Sequence, residues 1–575
     1  MINKNLLKYY REEIFFLREE GQNFAEEYPE VAQKLDISNS VMSADPHTER
    51  MIESFAFMIA GIRTKIESNI NNISRYISEA LYPGLNNVFP SCSIIQFKQN
   101  NNTNTIDVIK FNKGTKLQVS IDENYEYLMS TLYPINIYPI KIDKIYIDDK
   151  SHLNIEISTL SVPIENIKID NLLFHINSKT LNNALGLYNL LFYKNNPVYI
   201  KINNILYSIP NDYIQLCGFG ENDTTVPIPQ FFNYSFQMIK DLLLYPQRFL
   251  FFRVLNLNRI FLSNDITNIY NFTIIFQLDK KILLNDTIIL INSVPAVNLF
   301  NCTTEAFRMD GTKDFYKLIP SHTQKNNLEI HSIKSLHLIN KETGEDIEIP
   351  KYFNICESNI TEKHDLYWLQ TYNINYQEDD KYVSIIYTNI NPNKEYVDIV
   401  YAKTLCINKI SPKYISLSSP IDLLQSVNNT VTNTNVRNIA HFISEPSESI
   451  HDSIKNNDNW KLLQYLSFNK ISKNNYTNIK IYLKNIITLY NSPYEKAFMQ
   501  VINNIHKIEI KDYLKRKLVN NHHCFIKSSK LIIYYNMANT NNYYLIFFKT
   551  IEKYLQNITQ FNEKFEIQIV DCNIK

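Results

Sequence analysis

The sequence carries no net charge and has very little glycine. Lys plus Arg number 58, and Asp plus Glu also number 58. A nucleic-acid-binding protein normally has a basic excess that neutralises phosphates, so this balance argues against a nucleic-acid partner. Only 9 glycines occur in 575 residues, although the close backbone approaches of many active sites need glycine. The charge balance favours a protein that contacts other proteins, and the shortage of glycine makes an enzyme the weaker interpretation.

Long apolar runs and paired cysteines are also missing. The best uncharged run, residues 287–304, contains Pro295 and several Asn, too many polar groups for a span of about 20 apolar residues. The first residues lack the apolar core of a secretory signal. The cysteines form no CxxC pair, which argues against a disulfide framework or a zinc ribbon; they are Cys92, Cys217, Cys302, Cys356, Cys406, Cys524 and Cys572. We therefore expect a cytoplasmic protein with reduced thiols.

Three short motifs could carry chemistry, and each has a simpler interpretation. The His-x-Glu at His47 has no Pro-Cys-x-x-Cys to complete a zinc deaminase site. The Gly-Phe-Gly at Gly218 lacks the Gly-Lys-Ser/Thr of a phosphate loop and favours a tight turn. The His-His-Cys at His522 favours a surface turn, because neighbouring residues of a strand could rarely converge on one metal ion. The sequence predicts no catalytic, cofactor or metal site.

The N-terminal ninety residues have helical periodicity. Apolar residues recur every three or four positions in residues 3–28, and a helix ends at the Tyr82-Pro83-Gly84 stop. The second helix has Asp45 as its predicted cap and Pro46 at its first position. A helix of about 35 residues is roughly 50 Å long, too long for one small domain to cover. We predict that its apolar stripe is both core and interface; the stripe comprises Ile52, Phe55, Ile59, Ile62, Ile66, Ile73 and Ile77.

Beyond residue 91 the pattern changes to short alternating segments that are typical of strands. Helices are predicted at 181–193, 234–245, 461–468, 476–490, 494–508 and 543–556, and late strands at 531–535 and 565–570. The prediction is a multidomain α+β fold. It has an N-terminal long-helix hairpin (1–90), a β-rich domain with inserted helices (91–246), a second β-rich domain (247–425) and a C-terminal mixed α/β domain (426–575).

Several local motifs are long enough to be specific. Residues 45–57 read DPHTERMIESFAF, and LYP at 81–83 and PSCSIIQF at 90–97 follow. These motifs resemble the TssF family (also called VasA or ImpG), the baseplate subunit of the type VI secretion system. Further on, YPQRFLFF stands at 245–252 and NSVPAVNLF at 292–300. The resemblance extends over nearly the whole chain.

The resemblance implies a structural wedge protein and no enzyme activity. It implies assembly with TssG, a second TssF copy, TssK and TssE around the VgrG spike. That wedge would template the Hcp tube and the TssB–TssC sheath. It also implies a cytoplasmic location, docked at the inner-membrane face, with membrane contact only through other subunits. Two alternatives stay open: a wedge protein of a related phage-tail-like contractile particle, and a β-rich hydrolase.

Overall fold

The computed structural model shows a protein of mixed α and β structure. It describes residues 4–34, 46–82, 84–98, 108–122, 125–160, 162–194, 196–229, 232–263, 269–279, 287–309, 313–321, 327–339, 344–352, 366–371, 381–387, 398–424, 439–451, 454, 459–466, 476–519, 522–537, 541–558 and 563–572. The predicted cap Asp45 and residues 426–438, at the start of the predicted C-terminal domain, lie outside these residues.

The helices of the described residues are α1 Lys4–Glu27, α2 Pro29–Lys34, α3 Pro46–Leu81, α4 Ile164–Ile167, α5 Leu181–Phe192, α6 Ser235–Leu244, α7 Leu257–Ser263, α8 Asn459–Leu466, α9 Tyr476–Leu489, α10 Glu495–Asn503 and α11 Tyr544–Ile558. Among these residues no helix combines the length and the apolar character that a membrane crossing requires.

The strands are β1 Cys92–Phe97, β2 Ile109–Phe111, β3 Lys116–Asp122, β4 Tyr125–Thr131, β5 Ile135–Ile137, β6 Ile140–Ile147, β7 His152–Thr159, β8 Leu172–Ser178, β9 Val198–Ile202, β10 Ile205–Ile209, β11 Ile214–Leu216, β12 Phe251–Val254, β13 Asn271–Gln277, β14 Thr287–Ile291, β15 Ser293–Val297, β16 Phe300–Thr303, β17 Phe307–Met309, β18 Tyr316–Lys317, β19 Leu328–Ile339, β20 Asp346–Ile349, β21 Leu366–Thr371, β22 Tyr382–Tyr387, β23 Asp398–Asn408, β24 Ile421–Leu423, β25 Ala440–Phe442, β26 Ile505–Val519, β27 His522–Tyr535 and β28 Glu563–Asp571.

Contacts divide the chain into two compact units. One comprises Met1–Ser78 with Asn457–Trp460, and the other comprises Glu79–Asn456 with Lys461–Lys575. The first unit holds α1, α2 and nearly all of α3. Every sheet belongs to the second unit.

A closed barrel forms one core of the second unit. Its strand order is β1-β15-β4-β3-β24-β25. Cys92 pairs with Val297 and Ile95 with Phe442, so the barrel joins segments that are hundreds of residues apart. Its interior is filled by buried aliphatic and aromatic side chains such as Ile95, Phe97 and Tyr127. Because the barrel is closed, each of its strands has a hydrogen-bonded neighbour on both sides.

Two antiparallel sheets build a second, larger core. One has the order β10-β9-β13-β7-β6 and the other β11-β12-β8-β14. Helices α5 and α6 contribute to this core, and all ten residues of α6 are buried. Neighbouring aromatic side chains of the sequence are core residues: Phe249, Phe251 and Phe252 are fully buried, and Phe547 and Phe548 nearly so. This core continues into a three-stranded sheet, β26-β27-β28, that is covered by α9, α10 and α11.

A third core lies in the sheet β16-β23-β19-β20, with β17 also paired to β23. The pairing register between β19 and β23 shifts at two places along β19. Register shifts of this kind, as at β-bulges, bend a long strand and increase its twist. The small sheet β18-β22-β21 packs against the same core through Trp368 and Val383.

Most predicted helices are found within a few residues of their predicted ends, and two local predictions are wrong. The predicted helix 494–508 ends at Asn503, because Ile505 begins β26. The His522-His523-Cys524 segment is not a turn, since it opens β27 and pairs with the end of β26.

Candidate assembly surface

Helix α3 begins and ends where the sequence contains helix signals. Pro46 occupies its first position and Glu49 lies in its first turn, which suits the positive end of the helix dipole. At the other end Gly84 adopts a positive φ of 81° and donates its backbone N–H to the Glu79 carboxylate at 3.1 Å. A glycine in this conformation is a common helix terminator.

One side of α3 faces α1 through small and charged side chains. Ala56 and Ala60 are fully buried. Arg63 pairs with Glu13 at 2.8 Å and with Glu12 at 3.3 Å, and its guanidinium lies 4.8 Å from the centre of the Tyr9 ring. These contacts of Arg63 fix the register between α3 and α1.

Two further contacts extend this register along both helices. Arg18 pairs with Glu49 near the start of α3, and the Tyr9 hydroxyl donates to Glu67 further on. The hydrogen bond to this carboxylate raises the pKa of the Tyr9 phenol, so the hydroxyl stays a donor at neutral pH. Residues late in α1 therefore contact residues early in α3, and residues early in α1 contact residues later in α3.

The predicted stripe lies on a different side of α3 and is exposed. The exposed fraction is 50% for Phe55, 60% for Ile62, 54% for Ile66 and 53% for Ile73, while Ile59 and Ile77 are less exposed and Ile52 is half-buried. At 3.6 residues per turn, the stripe lies about a quarter-turn from the side that carries Ala56 and Ala60. The expectation that the stripe is also a core is therefore wrong for this chain by itself.

Ile70 belongs to the same stripe and was not predicted. It is 45% exposed and lies four residues after Ile66, which is the ordinary helical spacing. The interval of seven from Ile66 to Ile73 is itself a helical spacing, so the pattern is continuous with or without Ile70. Monomeric proteins rarely expose an apolar strip of this length, so such strips mark interaction sites.

The Gly-Phe-Gly segment forms a structural turn around a buried ion pair. Gly218 has a φ of 94°, as the predicted tight turn requires. Its carbonyl accepts from Arg248 Nη2 at 3.0 Å, and the same guanidinium contacts Asp241 Oδ2 at 3.2 Å. The backbone N–H of Gly218 donates to the Asp223 carboxylate at 3.0 Å. The N–H that could face a phosphate is already bound to a carboxylate, so the turn does not form a phosphate loop.

The other candidate motifs do not form sites either. In the described part of the chain no three His, Cys, Asp or Glu side chains lie close enough to hold a metal ion. His523 is exposed on its strand. Cys92, Cys217 and Cys406 are buried free thiols, and burial raises the pKa of Cys92 and Cys217. Raised thiol pKa values are typical of structural cysteines rather than nucleophiles.

The described residues form several β-rich cores, a long helix with an exposed apolar stripe, and a buried ion pair that serves packing. Together these features are typical of a structural subunit of a larger assembly. Comparison with known proteins agrees. The family model described as "Type VI secretion system, TssF" matches residues 2–572. The chain belongs to the TssF family, whose members are structural components of the type VI secretion system and not enzymes.

One curated relative is the type VI secretion system component TssF1 of Pseudomonas aeruginosa, which is 22% identical over 362 residues. That match covers 58% of this chain and 58% of the relative, so it spans less than two thirds of the relative's length.

Two solved structures share the fold. A chain of the TssK-TssF-TssG baseplate subcomplex, determined by cryo-electron microscopy, gives a TM-score of 0.69 at 14% identity and covers 91% of this chain and 96% of its own length. A chain of the baseplate complex from the type VI secretion system gives a TM-score of 0.58 at 13% identity, with 98% and 97% covered.

Proposed function

We propose that this chain is a structural wedge subunit of a type VI secretion baseplate, where it assembles with a TssG-like and a TssK-like protein. Membership of the TssF family over nearly the whole chain supports this function. The shared fold with chains of the two baseplate complexes supports it further. The wider role follows from the same family: contact with a second TssF copy and TssE, and support of the VgrG spike, the Hcp tube and the TssB–TssC sheath from the cytoplasmic face of the inner membrane.

We also propose how the parts of the chain divide this work. Helices α1 and α3 form a long-helix hairpin within the segment 1–90, and the β-rich domains 91–246 and 247–425 act as rigid spacers. The segment 426–575 forms the C-terminal α/β domain. The opposite order of the contacts between α1 and α3 supports the hairpin.

The exposed stripe on α3 is the observation that carries the proposed interface. Its members line one side of a 36-residue helix and are exposed in the single chain. Fully burying one such side chain contributes about 1.5–3 kcal/mol. Since these side chains are already partly covered, each would gain less, but a row of them gives a partner helix a substantial binding energy.

A charge in the middle of the stripe tests this interface. We expect Ile66→Asp to abolish co-purification with the TssG-like partner and sheath assembly in cells, because an unpaired charge buried in an interface costs several kcal/mol. Co-expression followed by size-exclusion chromatography and mass measurement gives the readout. Ile66 is 54% exposed in the free chain, so circular dichroism should show an unchanged fold.

The matched control is Lys65→Asp. Lys65 is exposed and lies one position from Ile66, so it is outside the stripe. We expect this variant to retain most of the complex. A normal wedge and normal firing with Ile66→Asp would show that the stripe is not an assembly surface.

A further inference from the structure

The hairpin formed by β26 and β27 extends past the rest of its sheet. The strands pair from Lys507↔Tyr534 to Val519↔His522 without a register shift. The third strand, β28, pairs with β27 only from Lys527 onward. Residues 511–519 and 522–527 form the distal part of the hairpin, which we call the hairpin arm. Residues 515–519 of β26 and 522–526 of β27 pair only with each other, so this end of the arm is two-stranded.

One face of the arm continues a face that packs against helices. Side chains alternate along a strand, and directly opposed residues share a face. Ile508 and Ile510 on β26, with Leu531 and Ile533 opposite them, contact a small apolar cavity that α9 and α11 also line. Because the register is unbroken, residues 512, 514 and 516 lie on this same face, opposite residues 529, 527 and 525.

Two large apolar side chains on the arm's continuation of this face are exposed. Leu514 is 70% exposed and Phe525 is 68% exposed. They are diagonal neighbours across the two strands, because Leu514 pairs with Lys527 and Arg516 pairs with Phe525. Arg516 is the exposed basic residue next to Leu514 on this face. The helix layer ends before it reaches them.

The arm has a basic excess in a chain with no net charge. Residues 511–527 contain five Lys or Arg against one acidic residue, Asp512. Arg516 is exposed on the face of Leu514 and Phe525, whereas Lys511 is exposed on the opposite face. Lysines on a sheet edge also protect against edge-to-edge aggregation. That role accounts for the charges but not for an exposed Leu and Phe on the face that elsewhere meets helices.

We propose that the hairpin arm is a docking site for an acidic amphipathic helix of a partner protein, which extends the layer formed by α9 and α11. Residues 511–517 cover about 20 Å at ~3.4 Å per residue, and helices in one layer lie about 8–10 Å apart. One further helix fits on this length. Its apolar residues contact Leu514 and Phe525, and its carboxylates meet Arg516 on the same face. The helical layer on the same face favours a protein over an anionic membrane or an RNA.

Two synthetic helical peptides with the same leucine stripe test the proposal. One carries Glu on its polar side and the other carries Lys. We expect the purified full-length chain to bind the Glu peptide at least tenfold more tightly, as measured by fluorescence anisotropy. The double variant Leu514→Ser and Phe525→Ser should lose at least tenfold of this affinity. Arg516→Glu should remove or reverse the preference between the peptides.

The control variant is Ile288→Ser, because Ile288 is a strand residue with similar exposure (51%) outside the arm. It should bind like the unmodified chain. All substituted side chains are exposed, and circular dichroism verifies the fold. Equal binding of both peptides, or binding unchanged by the arm variants, would overturn the proposal. So would an arm-dependent binding of phosphatidylglycerol vesicles or of a 20-nucleotide RNA that exceeds the binding of the Glu peptide.

A photo-crosslinker at position 525 in cells gives a second measurement. We expect the linked peptide to come from a different protein and to carry a net negative charge. A linkage to the same chain, to lipid or to RNA would contradict the proposal. The proposal does not rest on the proposed function, and the peptide measurement uses the chain alone, so either can fail without the other.

Discussion

Arg248 and Asp241 show how single charged side chains hold this fold together. Both side chains are fully buried and lie 3.2 Å apart. The same carboxylate accepts from the backbone N–H of Thr225 at 3.0 Å and from Gln237 at 2.8 Å. Arg248 also donates to the carbonyls of Gly218 and Asp223. A buried charge is tolerated when it is paired and hydrogen-bonded in this way.

Removing one partner should therefore be costly. We expect Arg248→Met to lower the free energy of unfolding by about 3–5 kcal/mol, because it leaves a buried carboxylate without its counter-charge. Urea denaturation followed by circular dichroism measures the change. Arg253→Met is the control. It loses a hydrogen bond of 3.2 Å to the Pro134 carbonyl at a partly exposed position, worth about 0.5–1.5 kcal/mol. Similar losses in both variants would mean that the buried pair has no special role.

At the scale of elements, α3 combines a long amphipathic pattern with a glycine in its interior. Gly61 lies mid-helix, and a Cβ placed there would meet no atom within 4 Å. It also lies well away from the exposed stripe, since 100° per residue puts it nearer the opposite side. Gly218 differs in both respects: its φ is 94°, and a Cβ would come within 2.9 Å of the Phe249 ring.

Alanine should thus have opposite effects at the two glycines. We expect Gly61→Ala to stabilise α3 by about 1 kcal/mol, because it removes backbone entropy without a clash. Hydrogen exchange should show more protection of the α3 amides in this variant. Co-purification with the TssG-like protein should show an unchanged complex. Gly218→Ala should lower the melting temperature, because alanine is strained at this φ and too close to Phe249. Loss of the complex in Gly61→Ala would mean that the interface lies on the side of α3 that carries Gly61 and not on the exposed stripe.

At the scale of the whole molecule, the cores bury histidines that must remain neutral. His175 is almost fully buried, stacks on Phe251 with ring centres 4.4 Å apart, and belongs to β8. His331 on β19 is equally buried, and its Nε2 lies 3.0 Å from the Val88 carbonyl. Burial lowers the pKa of each imidazole to about 3. An unfolded histidine has a pKa of about 6.5.

The difference in pKa predicts acid sensitivity. As the pH falls below about 6.5, the unfolded chain takes up protons at these histidines before the folded chain does, so stability falls between about pH 6.5 and pH 3. We expect the melting temperature of His175→Phe to fall less steeply over this range than that of the unmodified chain. The exposed His506 supplies the control variant, His506→Phe. Parallel curves for all three proteins would contradict a neutral, buried His175.

Local pattern was enough for the long helices but not for every boundary. Steps of three and four located α1 and α3 because each presents a continuous apolar stripe. The same steps misled at residues 494–508, where Ile502, Ile505 and Ile508 continue a helical spacing although β26 begins at Ile505. Short apolar runs fit either period, and only the pairing with β27 decides between them.

The sequence by itself determined the family and the α3 stripe, because these depend on local motifs and periodicity. Tertiary structure alone decided which strands close the barrel and that α3 turns Ala56 and Ala60 toward α1 while its isoleucines stay exposed. It alone left Leu514 and Phe525 uncovered at the end of a helix layer. These features depend on partners far apart along the chain, and strand pairing and burial are set by that long-range packing rather than by neighbouring residues.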